Sequence, residues 1–85
     1  MAPSVEQTLR KFLVDELGLP GDVTADSRLA ESGLLVSAQL LDVVVFIEDT
    51  YRIVMRPVDV VPEKMRTIAS IAAVVGERIR ERDGA

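Results

Sequence analysis

Residues Glu31–Asp42 read E-S-G-L-L-V-S-A-Q-L-L-D. A polar turn ending in Gly33 leads into a short apolar run. Ser37 then opens a stretch in which Leu40, Val43, Val44, Ile47 and Tyr51 recur at helical spacing. The spacing predicts a helix from about Ser37 to Tyr51 with Ser37 as its N-cap. Gln39, Asp42, Glu48 and Asp49 fall largely on the opposite side. Leu41, Val45 and Phe46 widen the apolar arc beyond one buried stripe, so part of it is expected to stay exposed or to meet a partner.

Upstream, Ser4 and Gln7 form a capping-box pattern ahead of Val5, Leu9, Phe12, Leu13 and Leu17, which share one helical face. Gly18 and Pro20-Gly21 stop that helix. Residues 18–36 then form a long connection, and long loops tend to be functional. Leu19, Val23, Leu29, Leu34 and Leu35 are placed to pin it to a core. No alternating run is long enough for a strand.

Downstream, Pro57 and Pro62 break the segment Arg52–Arg66. A short helical turn is expected near Val58–Val61, with Asp59 suited to its N-terminus. This segment is expected to be less stable than the main helices. Thr67 caps a last helix whose face is Ile68, Ile71, Ala72, Val75 and Ile79. Arg78, Arg80 and Arg82 suit the negative pole of its dipole, and the tail R-D-G-A is expected to fray. The predicted fold is all-α: a small four-helix bundle, three main helices plus one short one, with a long first loop. It forms one domain over residues 1–85, with its core at about 4–80.

Composition narrows the chemistry. The chain has 85 residues, no cysteine and no histidine. Disulfides, thiolate ligands, a cysteine nucleophile and the commonest general base and transition-metal ligand are therefore missing. No base, nucleophile pair or metal constellation stands out, so the chain is not expected to be an enzyme. Asp22, Asp26 and Glu31 do not match a calcium-loop spacing and are read as solvated. Met55 and Met65 are read as packing residues, and Arg52 and Arg56 as surface charges. The formal net charge of −4 disfavours nucleic acid and favours a partner with a basic surface. No apolar run exceeds that of Val43–Ile47 in length, too short for a bilayer. M-A-P-S-V-E does not read as a signal peptide, and a cytoplasmic location is expected.

A serine at a helix N-terminus can cap, bind an anion or carry a modification. Capping is the bland use. The surroundings of Ser37 add weight to the last: one hydroxyl at the tip of a helix whose outer face carries Asp42, Glu48 and Asp49 around an apolar strip.

E-S-G-L-L-V-S-A-Q-L-L, with the loop before it, V-V-F-I-E-D-T-Y-R-I after it and D-V-V-P-E-K-M-R-T-I-A-S-I-A further on, resembles the acyl carrier and peptidyl carrier protein family. The resemblance runs from about Val5 to Val75. Gly33, Leu34, Leu35 and Ser37 fit the family signature of a glycine, one or two residues, then Asp-Ser-Leu. It implies that a phosphopantetheinyl transferase, using coenzyme A and a divalent cation, attaches a 4′-phosphopantetheine arm to Ser37. The arm's thiol would carry an acyl or aminoacyl thioester among the enzymes of a polyketide, nonribosomal peptide or fatty-acyl type pathway. The chain itself would be a monomer. Val36, Ala38, Leu41, Asp42, Val45, Glu48 and Asp49 would form the partner-docking face. Two positions depart from the signature: Val36 replaces the aspartate and Ala38 the leucine. Valine can neither accept a hydrogen bond nor pair with a cation. The competing expectation is a degenerate carrier fold, unmodified, acting as a helical interaction module.

Overall fold

A computed structural model of the chain describes residues 3–29, 31 and 37–84, Ser37 by its backbone alone. Among these residues the fold is helical and contains no strand. Three α-helices follow in order: α1 (Val5–Asp15), α2 (Ser37–Tyr51) and α3 (Ile68–Arg82). A single 3-10 turn, Pro57–Asp59, lies between α2 and α3.

Each helix end has a local cause. The Gln7 N–H donates to Ser4 Oγ (3.1 Å) and the Ser4 N–H donates to Gln7 Oε1 (2.8 Å), the reciprocal capping box expected at α1. Helix α1 stops at Asp15, two residues short of Leu17. There Gly18 takes φ 75° and lets the chain turn back. The Thr67 hydroxyl accepts from the Ser70 N–H (3.0 Å) and caps α3. Helix α2 includes Ser37 as its first residue, inside the helix and not at the cap position expected of it. After α2, Arg52 adopts φ 56°, a left-handed conformation usual for glycine and a feature its sequence context does not announce.

Helix α3 continues through Arg82, and the Asp83 N–H donates to the Ile79 carbonyl (3.0 Å). Arg82 also donates to the Tyr51 carbonyl, tying the end of α3 to the end of α2. Its Nε bonds Asp83 (2.9 Å), which holds the Asp83 carboxyl below its usual range.

The core is one cluster. Leu9 and Leu13 of α1, Val43 and Ile47 of α2, and Ile68, Ile71, Val74 and Val75 of α3 are buried together. The connections contribute Leu19, Val23, Leu29, Ile53, Met55 and Met65. Leu19, Val23 and Leu29 thus pin the first connection as expected, while Leu34 and Leu35 lie outside the described residues. Polar links add to this pinning. Arg10 of α1 donates from Nε to the Val23 carbonyl (2.9 Å) and also to the Gly21 carbonyl. The Leu29 N–H donates to Arg66 O (3.0 Å), and Ala69 N–H to Ala25 O (3.0 Å).

A buried ion pair went unread in the sequence. Asp59 is fully buried, and its Oδ2 accepts from the Arg56 N–H (2.9 Å). Arg78, expected only as a charge near the helix end, is itself buried and places Nε 3.7 Å from Asp59 Oδ2. Its other nitrogens reach Glu81 (2.7 Å) and Glu77 (3.2 Å). Arg56 is not a free surface charge either, lying 3.7 Å from Glu81 and 3.9 Å from Asp59.

Candidate functional site

The candidate site is the outer face of α2. Ser37 opens the helix, and Ala38, Leu41, Asp42, Val45 and Asp49, with successive offsets of three, one, three and four residues, lie along one side. All five are exposed. Leu41 is 70% and Val45 55% exposed, unusual for large apolar side chains on a helix whose Val43 and Ile47 are completely buried. The sequence expectation of an unburied apolar arc therefore holds for Leu41 and Val45. Phe46 departs from it, being half-buried and stacked on Phe12 of α1. Their ring centroids are 4.1 Å apart, with 13° between the planes.

Glu48 also sits apart from the rest of the expected docking set. It is half-buried, and its carboxylate accepts from the Met55 N–H (2.9 Å), so it braces the chain leaving α2. Gly33, Val36 and the Ser37 side chain lie outside what the structure describes. The first turn of α2 contains no acidic residue. A phosphodiester joined to Ser37 would meet the positive end of the helix dipole and no carboxylate in that turn.

One turn along, Leu40 faces a cleft of about 250 Å³ whose walls include Val60, Val61, Pro62 and Met65. Glu31 and Arg66 lie at this cleft and pair with one another (3.3 Å). Its lining from the broken segment was not legible in the sequence, because Val60 and Leu40 are brought together only by the packing of that segment on α2.

On the other side of α2, an open groove separates it from α1. Thr8 and Thr50, Phe12 and Phe46, and Glu16 and Asp42 line the same stretches of it, so the two helices run antiparallel. Lys11 at its edge bonds Asp15 (2.7 Å), and this contact pushes the Lys11 pKa up. Among the described residues no group of acidic side chains gathers to hold a metal ion; Asp22, Asp26 and Glu31 form none. No helix is long and apolar enough to cross a membrane.

Comparison with family models, with curated proteins and with solved structures finds no match to this chain.

Proposed function

We propose that this protein is an acyl or aminoacyl carrier of the phosphopantetheine type, with the arm on Ser37. The observation that carries the reading is the exposed apolar–acidic line of Leu41, Asp42, Val45 and Asp49 leading away from the first residue of α2. A carrier needs an attachment point and, next to it, a surface that enzymes with basic docking sites can grip. The acid-free first turn fits a phosphodiester. The arm would supply the thiol that a chain without cysteine lacks. The chain's own part is to hold the attachment point at a helix end, present the docking face and shelter cargo in the cleft beside Leu40. The four-helix plan belongs to the same proposal, with the Pro57–Asp59 turn in the place of a short third helix and the 18–36 connection as the long first loop. So do action as a monomer in the cytoplasm and a phosphopantetheinyl transferase as the first partner.

A second reading rests on Val36. Without the usual acid before the serine, the fold would serve as an unmodified helical interaction module.

The test is intact-protein mass after incubation with coenzyme A, magnesium and a broad-specificity phosphopantetheinyl transferase. The carrier reading expects a gain of one phosphopantetheine that Ser37→Ala abolishes. If the chain gains nothing, Val36→Asp is loaded next. Rescue assigns the defect to Val36, and continued failure sinks the carrier reading in favour of the interaction module.

A further inference from the structure

The cleft beside Leu40 limits what it can hold. Among the described residues its walls are aliphatic: Leu40 from α2, and Val60, Val61, Pro62 and Met65 from the broken segment. It is more enclosed than the α1/α2 groove. Its volume is about 250 Å³. At the roughly 30 Å³ that a water-sized group occupies in a liquid, that is room for about eight heavy atoms. Sites for drug-sized ligands are larger, roughly 300–1,000 Å³. A long chain or a fused ring system therefore does not fit, and a short aliphatic chain does.

The charged groups at the cleft narrow the cargo further. Glu31 and Arg66 both line it, and Glu31 Oε1 lies 3.3 Å from Arg66 Nε. Glu31 Oε2 accepts from Arg28 Nη1 at 3.2 Å. One carboxylate thus sits between two guanidiniums. All three side chains are about half exposed, so these pairs are weak and open to exchange. The Arg66 backbone, by contrast, is fixed: its carbonyl accepts from the N–H of the buried Leu29 (3.0 Å). We infer that the cleft takes a short acyl group with a carboxylate at its far end, a dicarboxylic half-thioester, and that Glu31 holds the place of that carboxylate on Arg66 until cargo arrives. The methylenes of the cargo lie on Leu40, Val60, Val61 and Met65. Its terminal carboxylate replaces Glu31 on the Arg66 guanidinium, whose planar fork suits a carboxylate. Glu31 keeps Arg28 as its partner, so the exchange strands no charge. A terminal ammonium would face two guanidiniums and is repelled. The inference rests on the carrier reading for the covalent arm at Ser37 and names the class of cargo that the arm delivers.

The test bypasses the transferase, so that a failure to load Ser37 and a failure to seat cargo are separate results. The chain has no cysteine, so Ser37→Cys offers a single thiol. That thiol is alkylated with a bromoacetamide on a pantetheine-length spacer. The spacer ends in a hexanoyl amide, an adipoyl amide of the same length with a terminal carboxylate, or an ω-aminohexanoyl amide. Seating is read from the amide chemical shifts of Leu40, Val60, Val61, Met65 and Arg66. The adipoyl arm is expected to shift these amides most, the hexanoyl arm less and the aminohexanoyl arm least. Arg66→Gln should lower the ratio of seated to unseated adipoyl arm on the order of threefold, the size of a half-exposed ion pair, and leave the hexanoyl arm as it was. Glu31→Gln should raise adipoyl seating, because Arg66 then has no carboxylate to give up. Residues that only shape the cleft would move all three arms in one direction. The inference is overturned if no arm shifts these amides or if the hexanoyl arm seats as well as the adipoyl arm. It is equally overturned if Arg66→Gln and Glu31→Gln change adipoyl seating in the same direction. The comparison of arms on Ser37→Cys alone decides the matter should either charge variant fail to fold.

Discussion

Asp59 shows how much one side chain can organise without a sequence signature. Its turn begins at Pro57, which sets φ for the first position and lacks the N–H that extending the helix upstream would need. The carboxylate caps this turn through the Arg56 N–H and sits among Arg78, Lys64 and Arg56 at 3.7–4.0 Å. Asp59 Oδ1 and Arg78 Nε make no hydrogen bond, so the attraction between the two residues is Coulombic in a site from which water is largely excluded. Such a pair is weak evidence for net stability, but breaking it strands a buried charge. Asp59→Ala is therefore expected to cost about 3 kcal/mol in urea unfolding. Adding Arg78→Met should recover part of that loss, because the stranded guanidinium is then gone. A double variant as unstable as the sum of the two singles would show that the residues do not interact.

Among the elements, the segment between α2 and α3 is the one whose order depends most on other parts of the chain. Pro57 and Pro62 deny it a continuous helix. Met55 and Met65 bury its ends in the core, while Val54 and Val58 remain 75% and 59% exposed. Its amides rely on scattered acceptors, such as Glu48 for Met55 and Asp59 for Arg56. Hydrogen exchange is expected to be faster across Arg52–Arg66 than in the middle of α2 or α3. Within the segment, the Met55 and Arg56 amides should be the slowest. Protection matching that of Val43 and Ile47 would contradict this ordering.

At the scale of the whole molecule, all three helices and both connections share one buried cluster. The radius of gyration, 12.1 Å, is that of a compact chain of this length. With no second core among the described residues to melt independently, unfolding should be a single cooperative transition. Far-ultraviolet circular dichroism, which reports the helices, and fluorescence of Tyr51, the single tyrosine, should give coincident curves. Tyr51 ends α2 and its carbonyl holds Arg82 of α3, so it reports the junction of two helices. A separate early Tyr51 transition would mean that this junction opens before the core does.

The positions of the helices were written in local chemistry. Ser4 with Gln7, Thr67, Gly18 and the apolar periodicity each act over a few residues, so their effects could be read along the chain. The apolar surplus of Leu41 and Val45 was legible for the same reason: the arc is a property of α2 alone. Three further features needed the tertiary structure. Phe46 is drawn half inside by Phe12, Arg78 is turned inward by an aspartate from a distant turn, and Arg82 holds the end of α3 on the Tyr51 carbonyl. Each depends on a partner far away in sequence. Only packing brings that partner close, and hydrophobic periodicity says nothing about which charges burial will force together.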